Sequence, residues 1–529
     1  MVRLARLSVT LWATIVVSTP VGAQALLPSG RETAIELVQS GGASFDPQAG
    51  TGDYIAGLLN AGPKGEATLD LVDAKGIRLR RLVASSRGPN AFHFVADRPG
   101  LLLKVTTTRP MKGTIAVTRH AASRSAPPEP PLSPAIAELT RTLAAGGSAE
   151  SFWKNVVRVG TPLVEPGPDG QMVLTFLMRG ARRNVRIFGS PSGDHDDMQR
   201  LPGTDIWYRS YLVPPETRLS YQLAPDVPEV AGSARERRVA ILATAQADPL
   251  NRYPWPEDAT DRFNQDSTVT LPAAPAQPWL NAGHAPRGTL DVLTIASEQL
   301  GNAREVTIYR PPGFDAGRPD NLLLFVFDGL EYMSKVPTPR MLDAMLAAGA
   351  LPTTVAVFIA NPDSDARARE LPDNAAFADF LAQDLLPRIL SETGLRHDPA
   401  RTILAGSSFG GLAAATIAFR HPKAFGNVIS LSGSFWWHRK DADPVSPNHV
   451  AALFARAPRL PLRFFISAGL FETSSPSHGD GILETSRHLR DVLLARDYSV
   501  TYRDYAGGHD YLVWRGALAD GLLALFGKR

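Results

Sequence analysis

A Gly-x-Ser-x-Gly pentapeptide at residues 406–410 constrains the fold of this chain more than any other feature. It follows a short apolar run at 402–405 and precedes an alanine-rich segment at 411–420. An apolar run of this length between breakers is typical of a buried parallel strand, and the alanine-rich segment predicts a helix. Ser408 must then occupy a sharp turn, which needs small neighbours at 406 and 410. The stretch therefore predicts a nucleophile elbow with the Ser408 hydroxyl at the carboxyl end of a strand.

Segments typical of strands and helices alternate from residue 288 onward. The predicted strands cover 288–296, 304–310, 321–327, 353–359, 402–405, 427–432, 462–468 and 499–505. The predicted helices cover 335–348, 377–393, 411–420, 481–496 and 511–526. This alternation indicates a mostly parallel, doubly wound sheet, whose ligands bind at the carboxyl ends of the strands. The pentapeptide alone would also suit a serine in an ordinary tight turn, but its context favours the elbow.

An unactivated serine is a poor nucleophile, so the chain should also supply a base and an orienting acid. His509 follows the last predicted strand in a glycine-rich loop and is the candidate base among 11 histidines. Glu472 is the first carboxylate after strand 462–468 and is the candidate acid, with Asp480 as the alternative. The order serine, acid, histidine along the chain is that of an α/β hydrolase.

Two backbone amides are candidates to stabilise an oxyanion during attack on an ester. The amide of Phe409 begins the helix directly after Ser408, where helix amides favour negative charge. The second donor is expected in the turn after strand 321–327. The amide of Leu330 is the prediction there, with Gly329 as the alternative.

The region before residue 288 predicts two further domains, both built from strands. Short alternating runs between Gly, Pro, Asn and Asp indicate a small all-β domain at 24–120, which we interpret as a binding or spacer module. A stiff Pro-rich linker is expected at 121–134, a second β-sandwich at 150–245 and an irregular linker at 246–287. The fold class is therefore an α/β hydrolase at 288–529 preceded by two small all-β, sandwich-like domains.

The first 23 residues have the order of charge, apolar core and small residues that is typical of a secretory signal peptide. Arg3 and Arg6 precede an apolar run at 7–17, and cleavage is expected after Ala23. An uncleaved anchor is the alternative, which the shortness of the run disfavours. We therefore expect a periplasmic or secreted protein without stable membrane insertion after cleavage.

Charge and cysteine content exclude several classes of function. The formal charge of +3 falls by two when the leader arginines are removed, so nothing indicates a nucleic-acid partner. The chain has no Cys, which excludes disulfides and thiolate metal sites. We expect no metal and no cofactor, and the resemblance described next implies a small-molecule ester as the partner.

Several spaced motifs resemble the enterochelin esterase family. In the last domain these are DGLEY at 328–332, RARELPDN at 367–374, GSSFGGL at 406–412, SGSFWW at 432–437 and GGHDYLVWR at 507–515. Upstream, FWKNVVRVGTP at 152–162, GTDIWYRSY at 203–211 and DPLN at 248–251 are similar to the N-terminal domain of that family. The resemblance covers roughly residues 150–529.

The resemblance implies hydrolysis of the trilactone of catecholate siderophores, iron-loaded or free. It makes Ser408 the nucleophile and His509 the base, and it puts Arg369, Trp437 and Arg515 in segments that line the substrate cleft. The leader and the first β-domain are absent from cytoplasmic members of the family. Periplasmic relatives are thought to use a Ser and His pair alone, which leaves the role of Glu472 open.

A charge argument adds Trp436 to the candidate binding residues. A ferric catecholate is a trianion with flat faces, so a near-neutral protein can bind it only by concentrating cations and aromatic faces. Arg367 and Arg369 are expected on a loop after strand 353–359, and Trp436 and Trp437 follow strand 427–432. Both pairs should reach the sheet edge beside Ser408. The alternatives are a solvated loop for the arginines and a packed corner for the tryptophans.

Three functions remain open at this point. The first is a periplasmic serine esterase that cleaves siderophore lactones for iron acquisition. The second is an acyltransferase or a feruloyl or other carbohydrate esterase of the same fold. The third is a non-catalytic surface-binding protein, which the intact set of Ser408, Glu472 and His509 disfavours.

Overall fold

The structure is a computed structural model, and it describes residues 24–38, 41–62, 65–120, 131–193, 195–229, 233–439, 448–474 and 479–527. The leader expected at 1–23 and most of the linker expected at 121–134 lie outside the described residues. The chain divides into two compact units, Met1–Glu129 and Pro130–Arg529. None of the helices within the described ranges has the length and apolar character needed to cross a membrane.

The first unit is all-β, as predicted. Its strands are β1 (Gln24–Leu26), β2 (Arg31–Leu37), β3 (Gly41–Asp46), β4 (Tyr54–Asn60), β5 (Ala67–Val72), β6 (Arg78–Ser86), β7 (Pro89–Val95), β8 (Leu102–Thr107) and β9 (Met111–His120). They form one sheet in the order β1-β3-β8-β5-β6 and another in the order β2-β9-β4-β7. Both sheets contribute to one apolar core, for example Leu69 and Leu103 from the first and Ile55 and Ile115 from the second.

The second unit opens with a β-sandwich and its flanking helices. These elements are α1 (Pro134–Ala144), α2 (Glu150–Val159), β10 (Leu163–Pro166), β11 (Met172–Arg179), β12 (Val185–Gly189), β13 (Gln199–Arg200), β14 (Ile206–Val213), β15 (Arg218–Pro225), α3 (Ala234–Leu242), β16 (Pro254–Trp255) and β17 (Asp266–Thr270). One sheet has the order β10-β11-β14-β13 and the other β12-β15-β17-β16.

The linker expected at 246–287 is wrong, because much of this segment belongs to the sandwich. Strands β16 and β17 pair with each other, and β17 also pairs with β15. The hydroxyl of Tyr221 donates to Asp248, which fixes the start of the segment to the core. The pattern was missed because β16 is only two residues long and β17 reads DSTVT, a mostly polar run.

The predicted strands from residue 288 onward are confirmed and form one sheet. They are β18 (Thr289–Ser297), β19 (Asn302–Arg310), β20 (Leu322–Phe327), β21 (Thr354–Ile359), β22 (Thr402–Ser407), β23 (Asn427–Leu431), β24 (Arg463–Gly469) and β25 (Ser499–Tyr505). The order is β18-β19-β21-β20-β22-β23-β24-β25, and all pairs from β21 to β25 are parallel. The α/β-hydrolase fold class is thus confirmed.

Helices cover both faces of this sheet. They are α4 (Gly329–Ser334), α5 (Thr338–Ala347), α6 (Ser364–Glu370), α7 (Ala375–Asp379), α8 (Leu386–Thr393), α9 (Phe409–Arg420), α10 (His449–Arg456), α11 (Ile482–Ala495) and α12 (Tyr511–Phe526). Successive residues of β20 point to opposite faces, so Phe325 packs in the core with α9 and α11 while Leu324 packs in the core with α5 and α12.

Three helix predictions need correction. The helix expected at 335–348 is α5, which begins only at Thr338, after Pro337, and the separate helix α4 at 329–334 was not predicted. The loop expected after strand 353–359 contains α6, whose N-cap Asp363 accepts a bond from the amide of Ala366. Helix α9 begins at Phe409, so the turn at Ser408 joins strand and helix without any spacer.

Candidate active site

Ser408 lies on the sharp turn that the sequence predicts. Its backbone has φ 57° and ψ −123°, a left-handed conformation that costs energy for a residue with a side chain. A Cβ at Gly406 would lie 2.7 Å from the carbonyl carbon of Gly410, so β22 and α9 can approach this closely only with glycine there. The turn therefore needs these small residues to hold Ser408 in its strained position at the sheet edge.

The predicted acid and base are in direct contact. Nδ1 of His509 lies 2.6 Å from Oε1 of Glu472. The Glu472 side chain is 4% exposed, whereas that of His509 is 41% exposed. Asp480 is exposed and makes no such contact. A carboxylate beside Nδ1 favours the tautomer of neutral histidine in which Nδ1 carries the proton. Nε2 is then unprotonated and can accept a proton from another group.

The Glu472 carboxylate is held by further donors. Its Oε2 accepts a bond from the hydroxyl of Ser432 at 2.7 Å and from the amide of Gly469 at 2.5 Å. The indole of Trp514 donates to Ser432 at 2.9 Å and packs edge-on against the His509 ring. The acid and the imidazole are thus fixed from several directions before any ligand arrives.

Ser408 and His509 line one cavity of about 380 Å³. The hydroxyl of Ser408 also lies 3.4 Å from that of Ser434. Ser408 and His509 follow β22 and β25, so both lie where parallel strands end, as expected for this fold. The structure therefore brings the predicted nucleophile, base and acid together.

The predicted oxyanion donors lie at the first turns of two helices. The amide of Phe409 begins α9, and Gly329 and Leu330 begin α4; amides at these positions have no partner inside their helix. Asp328, just before α4, is left-handed with φ 55°. Its carboxylate binds Arg367 through both oxygens at 2.7 and 2.8 Å, which fixes the turn.

The β-sandwich forms the opposite wall of the cavity and holds the loop that carries His509. The amide of Arg218 donates to the carbonyl of Ala506 at 2.9 Å. A Cβ at Gly508 would lie 1.6 Å from the hydroxyl oxygen of Ser190, so the loop and the sandwich are in close contact. The position of the base thus depends on both parts of the second unit.

Two carboxylates of this cavity have raised pKa values. Asp510 caps α12 and accepts bonds from the amides of Leu512 and Ser220, but burial still raises its pKa. Asp266 lies on β17, and burial followed by the charge of Asp510 raises its pKa to about 6, while Lys335 opposes the shift. The negatively charged form of a carboxyl group is therefore disfavoured on this side of the cavity.

The predicted substrate-binding residues do not line this cavity. Arg369 is exposed on α6, and Arg367 is the arginine that reaches the cavity. Trp436 is 42% exposed, and the centroid of its ring lies 6.2 Å from that of Phe409. Trp437 packs edge-on against His449 beside the core, which is the packed corner that was the alternative. Arg367 and Arg369 are two positions apart on α6, so their side chains point in different directions.

Arg515 lies one layer behind the cavity. Its Nε donates to Gln277 at 2.9 Å, and its guanidinium lies over the Trp255 ring, which does line the cavity.

Sequence reasoning missed several cavity residues. They are Phe188, Ser190, Trp255, Asp266, Lys335 and Tyr511. Four of the six come from the sandwich and from the segment interpreted as a linker, where no strand–helix alternation marks a sheet edge. The signal that could have found Tyr511 is its place in the motif around His509.

Fold and site together define an α/β hydrolase with the arrangement of an esterase. Residues 173–280 match the family "Enterochelin esterase, N-terminal", and residues 297–525 match the family "Putative esterase". The first match includes the segment at 246–280, in agreement with its place in the sandwich.

Similar proteins agree with these matches. The iron(III) enterobactin esterase of Dickeya dadantii is 35% identical over 73% of this chain and 94% of its own length. The iron(III) salmochelin esterase of Escherichia coli is 30% identical over 74% and 98%. The crystal structure of ferric enterobactin esterase from Salmonella typhimurium has a TM-score of 0.58 and 30% identity, over 71% of this chain and 98% of that one. The chain belongs to the enterochelin esterase family and is an esterase.

Proposed function

We propose that this esterase hydrolyses the ester bonds of a catecholate siderophore, with Ser408 as nucleophile, His509 as base and Glu472 as the acid that orients it. The observation that carries the proposal is the 2.6 Å contact between His509 and Glu472 at the cavity that Ser408 lines. The names of the relatives, iron(III) enterobactin esterase and iron(III) salmochelin esterase, support the substrate class.

The reaction would proceed in two halves. Ser408 Oγ attacks the ester carbonyl carbon and gives its proton to Nε2 of His509. The oxygen of the tetrahedral intermediate accepts bonds from the amides of Phe409 and Leu330. Its collapse breaks the ester C–O bond, and His509 returns the proton to the leaving alkoxide. A water molecule, deprotonated by the same imidazole, then attacks the acyl-enzyme and releases the acid and Ser408.

The proposed compartment is the periplasm or the exterior, where the product would contribute to iron acquisition. This part rests on the leader pattern at 1–23. Amino-terminal sequencing of the protein from fractionated cells should give a start at Gln24. A protein that retains Met1 and stays with the cytoplasm would contradict it.

A substrate panel tests the activity. Ferric and iron-free cyclic siderophores, a linear siderophore and a feruloyl sugar are incubated with the enzyme and analysed by chromatography. We expect cleavage of the catecholate lactones, and a loss of about 10³-fold or more in Ser408→Ala. Ser434→Ala is the matched control, since its hydroxyl neighbours that of Ser408, and it should retain most of the activity. Turnover of the feruloyl sugar alone would overturn the substrate class.

A further inference from the structure

Asp266 is the residue of β17 that lines the cavity, and its side chain points away from the sandwich core. In this strand Ser267 and Val269 are buried, whereas Asp266 is half-buried and lines the cavity together with Ser408 and His509. Its partner across the ladder is Trp255, which also lines the cavity. The two side chains therefore form part of the wall that faces the nucleophile.

Among the residues that the structure describes, none donates a hydrogen bond to the Asp266 carboxylate, and Lys335 across the cavity does not form an ion pair with it. Glu472 in the same region accepts bonds from three residues. A half-buried carboxylate that accepts no hydrogen bond from these residues can accept hydrogen bonds from a ligand in the cavity.

The rest of the cavity suits a single aryl ring. Aromatic side chains of Phe188, Trp255 and Tyr511 line it, and planar rings pack well against such faces. A cavity of about 380 Å³ is at the lower end of the usual range for ligand sites, roughly 300–1,000 Å³. It therefore has room for one arm of a three-armed siderophore at a time.

We propose that Asp266 is a specificity residue that accepts hydrogen bonds from the adjacent hydroxyls of an iron-free catechol ring. This inference rests on the proposed function and adds to it the form of the arm that enters the cavity. A free catechol offers two O–H donors to the carboxylate. An iron-bound catecholate has lost both protons and is negatively charged, so it offers no donor and is repelled by Asp266. Asp266 thus favours an arm that is not bound to iron.

The test is a binding titration in the Ser408→Ala background, so that nothing is turned over. The probes are N-(2,3-dihydroxybenzoyl)serine and its 2,3-dimethoxy analogue, which keeps the ring but lacks the donors. We expect the diol to bind at least about tenfold more tightly, as for a hydrogen bond to a charged group. Asp266→Asn should reduce this preference to about twofold or less. Asp258→Asn, an exposed carboxylate of the same sandwich outside the cavity, should leave it unchanged.

Each result of this titration decides the assignment. No preference for the diol, or the same preference in Asp266→Asn, would overturn it. The proposed function is tested separately, because a wild-type enzyme that cleaves no catecholate lactone while its Ser408→Ala form still prefers the diol through Asp266 would refute the reaction only. A second measurement uses turnover. Asp266→Asn should raise the ratio of kcat/KM for the ferric over the iron-free lactone by about tenfold, and an unchanged ratio would count against the role of Asp266.

Discussion

The two walls of the cavity hold their carboxylates in opposite ways. On the α/β wall, Glu472 is buried and accepts bonds from three residues, which fixes the imidazole beside it. On the sandwich wall, the Asp266 carboxylate accepts no hydrogen bond from the residues that the structure describes. The first arrangement suits a reaction that needs one geometry at all times, and the second suits recognition, in which the ligand completes the bonding. The difference assigns the proposed chemistry and the proposed selectivity to separate parts of one compact unit.

The largest effect on the α/β wall is expected from Glu472→Gln. The amide keeps the size of the side chain but loses the charge that stabilises the imidazolium, so we expect kcat to fall by about 10²- to 10⁴-fold. Steady-state kinetics on an aryl ester measures the effect. Asp480→Asn is the control and should change kcat less than about twofold. A larger loss in Asp480→Asn would mean that the wrong carboxylate has been assigned.

A second test compares two arginines of the same helix, α6. Arg367→Gln leaves the Asp328 carboxylate, only 2% exposed, without its cation, which should cost about 3 kcal/mol of the free energy of unfolding. Arg369→Gln changes an exposed residue and should stay within about 0.5 kcal/mol. Chemical denaturation of the two variants gives the comparison. Equal losses would contradict the assignment of Arg367 as the residue that fixes the oxyanion turn.

A third test acts where the two walls meet. In Gly508→Ala the new methyl group would collide with the Ser190 hydroxyl, displacing the loop of His509, so we expect kcat to fall about tenfold or more. Adding Ser190→Gly removes the obstacle, because only the Ser190 Cα, at 3.9 Å, then remains near the methyl group. Recovery of kcat in the double variant would show that the contact positions the base. Failure to recover would mean that the glycine is needed for another reason.

The smallest effect is the pH dependence of stability at Asp266. Its pKa is raised to about 6 from the ordinary 3.8, so the folded state disfavours the ionised form. Above pH 6 the carboxylate is charged in both states, and Asp266→Asn should be more stable than wild type by about 1 kcal/mol after allowance for solvent screening. Between pH 6 and about 4 the folded wild type takes up a proton first, so the gain should fade. Calorimetry at pH 7.5 and 4 measures it, and a gain that grows on acidification would contradict the shift.

The α/β wall was largely predictable from the sequence. The pentapeptide, the glycines before His509 and the first carboxylate after β24 each follow a predicted strand, and parallel strands bring their carboxyl ends to one edge. Glu472 could be preferred over Asp480 on this basis, although only the fold shows its contact with His509. Local patterns sufficed here because each functional residue is next to a regular element.

The sandwich wall was not predictable in the same way. Trp255 lies in a two-residue strand that contains a proline, and Asp266 lies in a mostly polar strand of five residues, so no alternation of apolar residues marks them. Their place in the cavity depends on pairing with β15, which is distant in sequence. The choice between Arg367 and Arg369 failed for a related reason, because a segment interpreted as a loop is a helix and has a defined direction for each side chain.

The hydrogen bond from the Ser220 amide to the Asp510 carboxylate limits which fragments of this enzyme can keep the site intact. A fragment starting at residue 288 would lose that donor and leave a carboxylate, which caps the helix after His509, short of a partner. Shortening the gene to its hydrolase portion should therefore yield a protein with a displaced base rather than a minimal esterase.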